Sequence, residues 1–403
     1  METAEVEFSG RHPDVFSSCL AAEIVKGLSK LSDKKNIKKF RAGLNVQSLS
    51  SRNKKGLSCI NINVGGQVIV PKNINLNKVI TNITKRLLKK AGYFKAGDFS
   101  PRRLIVNTRG ITSQSPALNK TTNSNRFADS CVVYGHYIRK PFGINGTFPS
   151  LMIAKKIDNC ISKINRKIPN LRPDGKVHVT IKYKKIGFSV ENVYLSVSHK
   201  KGILSNFRNI IKNEIIKNLK NYDVNKLRIE INSGGDFDAY FLQADSGISK
   251  AKDDIIITGG IHHLGTDKVW GKCLYKASST LIPYVFALSR LVCDTTKAKY
   301  ASVSAFSKYG QKHAELQLHD IDPDYEDYRE KINFALNRFP RDRNSIRKVL
   351  ALKINTKSYE SFNDIEGFHN KTKPWKRANN NLRNILKKKL IINFKNNKGI
   401  GGL

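Results

Sequence analysis

His12, Pro13 and Asp14 stand directly before Phe16, Leu20, Ile24 and Leu28, an apolar ladder at helical spacing. Proline suits the first turn of a helix, and a carboxylate there meets the positive end of the helix dipole. The triplet therefore predicts a helix with a histidine and an acid at its mouth, either a working site or ordinary capping. Three later segments carry lysines beside glycines. LRPDGK (171–176) sets Lys176 in a tight polar turn between a helix and a strand. In INSGGDFDAYFLQADSGISKAKDD (231–254), Asp245 and Lys252 flank a Gly-Ser-rich turn. GGIHHLGTDKVWGKCLYK (259–276) places Lys272 and Lys276 one helical turn apart. Glycines ahead of lysines at a helix start suit a phosphate cradle, because backbone N–H groups and ammoniums converge on the anion. None is a Walker motif, and each taken singly reads as a solvated charged loop.

The elements that must position these residues are drawn from 403 residues, enough for a large core and two or three domains. Hydrophobic residues make up 39%, as in a folded globular protein. No apolar run reaches membrane-spanning length, and METAEVEF is too acidic and polar for a signal peptide. The six cysteines show no paired short spacing, so neither a zinc site nor a disulfide framework is expected, and a reducing, cytoplasmic compartment is. Seventy-two Lys plus Arg against 32 Asp plus Glu give a net charge of +40. Such a charge would suit a polyanion. However, it is mostly lysine, spread along the chain among asparagine and isoleucine, and no base-stacking or groove-reading motif accompanies it. Compositional drift accounts for it better than nucleic-acid binding.

After the first helix the sequence predicts a basic loop, a strand over LSCININVGGQVIV (57–70) and a helix over NLNKVITNITKRLLKKAGYF. The polar stretch from Asn107 to Arg126 reads as a mobile connection. Strand CVVYGHYI, helix SLMIAKKIDNCISKI, strands KVHVTIKY and ENVYLSVS and helix LSNFRNIIKNEIIKNL follow. A third block holds strand KLRIEIN, glycine-rich loops, the helix around SSTLIPYVFALSRLV, strand YASVSAFS and a helix after IDPDYEDY. The expected fold class is α+β, with three similar α+β domains over 3–106, 127–232 and 233–377 and a basic tail over 378–403.

In order and spacing, these segments resemble S-adenosylmethionine synthetase (methionine adenosyltransferase). The resemblance runs through His12-Pro13-Asp14, NVGGQVIV, SQSPALN (113–119), FADSCVVYGHY (127–137), NLRPDGKVHVTIKY, INSGGDF, IITGG with WGKCLYK, and YESFNDIEGFHNKTKPW (359–375). It implies attack of methionine sulfur on the 5′ carbon of ATP, release of triphosphate, and its cleavage to pyrophosphate and phosphate. A thioether has no proton to lose, so the chemistry asks for alignment and for positive charge at the leaving group, not for a general base.

By position, the resemblance implies that His12 meets the leaving oxygen and phosphates, that Asp14 ligates Mg2+, and that Lys176, Lys252, Lys272 and Lys276 hold the triphosphate. It implies that Asp129 and Gln114 contact methionine or the nucleoside, that Asp245 supports the lysine loop, and that Phe237 stacks at the pocket. It also implies an oligomer, homo- or hetero-, with sites between subunits. The departures lie in the same places. Gln67 stands for the family's glutamate at the methionine ammonium, and Ala128-Asp129-Ser130-Cys131 for Gly-Asp-Gln-Gly. Ala251-Lys252 replaces an Arg-Lys pair, Ser278 the second magnesium carboxylate, and Arg11 the glycine before the histidine. The family's K+ has no acidic ligand between Ala42 and Ser58. These substitutions leave open a slow or substrate-shifted synthetase, a subunit completed by a partner chain, or an inactive ATP-binding relative.

Overall fold

The computed structural model describes residues 1–8, 11–34, 40–53, 56–70, 73–93, 104–165, 167–168, 170–239, 241–265 and 270–350. In chain order the strands and α-helices are β1 (Glu2–Glu7), α1 (Pro13–Lys34), β2 (Arg41–Asn53), β3 (Gly56–Ile69), α2 (Leu76–Ala91), β4 (Leu104–Thr112), α3 (Pro116–Asn123) and β5 (Cys131–Ile138). Next come α4 (Pro149–Asn165), β6 (Leu171–Tyr183), β7 (Phe188–His199), α5 (Leu204–Leu219), β8 (Arg228–Ile231), β9 (Gly247–Ile248) and α6 (Asp253–Thr258). The last are α7 (Ala277–Thr296), β10 (Tyr300–Ser307), β11 (Glu315–Ile321), α8 (Arg329–Leu336) and α9 (Arg343–Val349). The mixed α+β class agrees with the sequence. Among the described residues no helix is long and apolar enough to cross a membrane.

The chain divides into two compact units. The first (1–114, 148–263 and 270–273) holds two four-stranded sheets, ordered β1-β6-β7-β8 and β4-β3-β2-β9. The parallel pairs β7/β8 and β3/β4 need long crossovers, which α5 and α2 supply. Helix α1 is buried because its ladder faces β2: Val15, Phe16, Leu20, Ala21, Ile24, Val25 and Leu28 all lose their solvent, as do Ala42, Leu44 and Val46 opposite. That apolar layer fixes where His12 and Asp14 sit.

The second unit, of which 115–147, 264–265 and 274–350 are described, holds the sheet β11-β10-β5, with α7 packed on β5 and β10. Gly135 in β5 lets α7 approach closely: a Cβ there would lie 2.3 Å from the Phe286 nitrogen.

The structure corrects four local expectations. The segment after α1 contains β2, a strand whose alternation is diluted by serine, asparagine and glycine. The expected mobile stretch takes in the later part of β4 and all of α3, since tertiary pairing with β3 overrides the weak local signal. Residues 171–176 do not form a turn between elements, because β6 already starts at Leu171. The strand bulges there, stepping from the Leu171↔His199 pair to Gly175↔Val197. Finally, Lys272 is not on a helix with Lys276. Lys272 instead forms a bridge with Gly43 of β2, and α7 starts after Lys276. The block at 359–375 and the tail lie outside the described residues.

Candidate active site

The first unit gathers His12, Asp14, Lys176 and Lys252 around a residue that the motif reading passed over, Glu7. Strands β1 and β6 pair antiparallel with Glu7 opposite Lys176. Opposed residues share a face, so the pairing alone brings the two side chains together. Glu7 Oε1 lies 2.9 Å from Lys176 Nζ and 3.3 Å from Lys252 Nζ, and Glu7 Oε2 lies 3.0 Å from His12 Nδ1. The two lysine contacts are ion pairs, and the His12 ring nitrogen makes a close polar contact with the same carboxylate. Glu7 is 1% exposed. Burial alone would raise its pKa, but His12 and Lys176 outweigh burial and hold it at about 2. Burial also works against the Lys176 ammonium, yet Glu7 and Glu5 carry its pKa above the ordinary lysine value.

The three partners of Glu7 arrive from different elements. His12 and Asp14 open α1, with Phe16 N–H donating to the His12 carbonyl. Lys176 lies just past the bulge of β6. Lys252 caps α6 at the end of a segment sewn to α1 and β2. In that segment Ser249 exchanges hydrogen bonds with Val46 N and O at 2.8 Å, and Lys250 N–H donates to Ser18 Oγ at 2.9 Å. Asp14 Oδ1 accepts from Ile248 N at 2.9 Å. Burial raises the Asp14 carboxyl despite that bond.

A second overlooked carboxylate, Asp174, lies in the bulge, 2% exposed. Its Oδ2 accepts from Phe241 N at 2.7 Å, holding Phe241 at φ +50° against Phe16 and Tyr93, while Oδ1 has no hydrogen-bond partner. Burial pushes this carboxyl up as well.

Lys272 and Gln67 meet through the other sheet. Gly43 in β2 pairs with Gln67 on one side and bridges Lys272 on the other, and Gln67 in turn pairs with Thr112. Lys272, Gly43, Gln67 and Thr112 thus form one row across the sheet. The lysine and the amide share a face, about 10 Å apart at Cα, with no side chain between them. Gln114, two residues beyond Thr112, is buried, and its Oε1 has no hydrogen-bond partner.

The remaining expected residues are placed as follows. Asp245 is exposed, its Oδ1 accepting from Ser246 N at 2.7 Å. Phe237 is half-buried in the loop after β8. Asp129, exposed, and Lys276, half-buried at the start of α7, belong to the second unit, as does the buried Ser278. Arg11 turns away from the site. It pairs with the buried Asp158 of α4 and lies 4.5 Å over the Phe8 ring. The glutamates could have been noticed in the sequence: Glu5 and Glu7 alternate just ahead of His-Pro-Asp in a chain poor in acids.

Glu7, His12 and Asp14 offer ligand atoms within 4.8 Å of one another, all buried. Two lysines already neutralise Glu7, and histidine is a poor partner for a hard cation. Asp14 is therefore the carboxylate of the set best suited to a hard divalent cation, and the three residues do not make an all-protein cage.

Two comparisons bear on this arrangement. Residues 147–237 match the family model for the S-adenosylmethionine synthetase central domain. The structure is similar to that of an unusual S-adenosylmethionine synthetase from Campylobacter jejuni, with a TM-score of 0.76 over 96% of this chain and 99% of the other, at 21% identity. The chain carries the S-adenosylmethionine synthetase fold. The family match covers the middle of the chain, and the structural similarity shows the fold. No curated protein sequence matches the chain.

Proposed function

We propose that the chain forms S-adenosylmethionine from ATP and methionine, releasing phosphate and pyrophosphate, in a homo-oligomer or together with a related subunit. The observation that carries this reading is the convergence of His12, Lys176 and Lys252 on one buried carboxylate at the mouth of α1. These donors are where a displaced triphosphate would need them.

In the reaction, the methionine sulfur forms a bond to the 5′ carbon as the carbon–oxygen bond to the triphosphate breaks. Glu7 engages His12 Nδ1, which leaves Nε2 as the ring atom for the leaving oxygen. Lys176 and Lys252 exchange part of their contact with Glu7 for phosphate oxygens, and Lys272 adds charge from the other sheet. Gln67, Gln114 and Asp129 serve methionine or the nucleoside, Phe237 stacks at the pocket, Asp245 supports the Lys252 loop, and Lys276 binds phosphate. Magnesium, when bound at Asp14, would neutralise charge on the triphosphate. Each of the three sheets would mark one α+β repeat, and the compartment would be cytoplasmic.

A second reading has its own observation. Gln67, Ala251 and Ser278 remove charge at three positions, and each lost charge-assisted hydrogen bond is worth about 1.5–3 kcal/mol. That reading is an ATP-binding subunit that turns over only with a partner chain. Mass spectrometry of products from ATP and a panel of methionine analogues, with Lys272→Ala as control, separates the two. Product above the control supports the enzyme; ATP binding without product supports the subunit, and neither binding nor product removes both.

A further inference from the structure

The loop after β8 has no regular structure, yet residues 236–239 are tied down one by one. Asp236 Oδ2 accepts from Gly202 N at 2.9 Å, Arg172 donates to the Asp238 carbonyl, and Ser198 Oγ donates to the Ala239 carbonyl at 2.9 Å. Phe237 is held by a single residue, His199, at both of its backbone groups. The backbone N–H of His199 donates to the Phe237 carbonyl at 2.9 Å, and its ring Nε2 lies 3.1 Å from the Phe237 N–H.

The hydrogen bonds dictate the state of the ring. A backbone N–H cannot accept, so Nε2 carries a lone pair toward Phe237. A carbonyl cannot donate, so Nδ1, 2.7 Å from the Lys200 carbonyl, carries the proton. The ring is fully buried, tilted against Phe207 of α5 at 4.8 Å, and Asp236 Oδ1 stays 3.7 Å from Nε2, beyond hydrogen-bond reach. The Phe237 backbone thus hangs on a packed, tautomer-defined imidazole at the end of β7, while Gly234 and Gly235 just before it have open space around them. Such glycines leave the loop free to move wherever the tie is cut.

We propose that His199 is a positioning residue, a latch whose Nε2 lone pair sets the Phe237 segment for nucleotide binding. This rests on the reading above, in which Phe237 stacks at the ATP pocket. His199 touches no substrate; it acts through the Phe237 backbone.

Two substitutions separate the two ends of the ring. His199→Gln keeps an acceptor near the Nε2 position, and His199→Asn keeps a donor near Nδ1 but has no acceptor at Nε2. Full-length wild type and both variants, checked for the same circular dichroism, would be compared in amide hydrogen exchange and in ATP binding by calorimetry. The expected result is exchange of the Phe237 peptide about tenfold faster in His199→Asn, with peptides from the middle of β7 and α5 unchanged, and ATP affinity weaker by about tenfold. His199→Gln should stay within about threefold of wild type in both measurements. Unchanged exchange at Phe237 in His199→Asn overturns the latch, as does faster exchange with unaltered ATP affinity. If the wild-type chain binds no ATP, the function proposed above fails, and the exchange measurement alone still decides whether His199 holds the loop.

Discussion

Glu7 on β1 and Lys176 on β6 stand opposite one another in an antiparallel pair, with 2.9 Å between Oε1 and Nζ. The carboxylate is buried and shared with His12 and Lys252, so it sets the resting position of two ammoniums and an imidazole at once.

Replacing Glu7 by Gln removes the shared negative charge without changing shape. Thermal melting should show a loss of about 1–3 kcal/mol, because Lys176, Lys252 and His12 lose their common partner. Tripolyphosphate binding, measured by calorimetry, should tighten severalfold, because the freed ammoniums no longer divide their charge between Glu7 and the ligand. Weaker binding would instead mean that the lysines need Glu7 to hold them in place.

Arg11 and Asp158 form a buried pair inside the first unit. Arg11→Ala removes the guanidinium charge from beside the buried Asp158, and urea titration should show a loss of about 3–5 kcal/mol. The double change Arg11→Met with Asp158→Leu should recover most of it, since neither charge then remains to be solvated. ATP affinity should be the same in the double variant as in wild type, because Arg11 points into the core.

Gly247 starts β9 at a point where a Cβ would lie 2.4 Å from the Pro13 carbonyl oxygen and 2.6 Å from Ser17 Oγ. Gly247→Ala should push the Lys252 segment off α1, break the Ile248–Asp14 hydrogen bond and destabilise the chain by about 1–3 kcal/mol. Gly234→Ala, with no atom within 4 Å of the new Cβ, is the control and should stay within about 0.5 kcal/mol. Equal melting temperatures for the two variants would contradict the packing described.

Asp342 caps α9, accepting from Ser345 N at 3.1 Å and from Asn125 Nδ2 at 2.9 Å. Burial acts to raise its pKa, but these hydrogen bonds win and hold the carboxyl below the ordinary aspartate value. A depressed folded pKa gives stability that is present above the unfolded value of about 3.9 and is lost as pH falls through the folded value. Asp342→Asn keeps an acceptor for the cap and removes the titration. The stability of wild type relative to Asp342→Asn should therefore fall as pH drops below about 4. At pH 7, Asp342→Ala should cost about 1 kcal/mol. Urea midpoints at both pH values measure each effect.

Much of the candidate site was legible as residue types. His12 and Asp14 are named by the helix they open, and Lys176 and Lys252 by the glycine-rich segments that contain them. The same local signals failed for LRPDGK and for Lys272. Polar, glycine-rich stretches look like turns whether they bulge out of a strand or lie along a sheet edge, and only the partner strand distinguishes them.

The sequence by itself determined the apolar ladders of α1 and α4, the alternation in β3, β6 and β7, and therefore the α+β class, because periodicity is a local property of the chain. Tertiary structure alone decided that Glu7 meets Lys176, that Lys272 lies in one row with Gln67, and that Arg11 leaves the helix mouth for Asp158. These are matters of register and packing between segments far apart in sequence. In the strand pairings, a slip of one residue would turn the side chains to the opposite face.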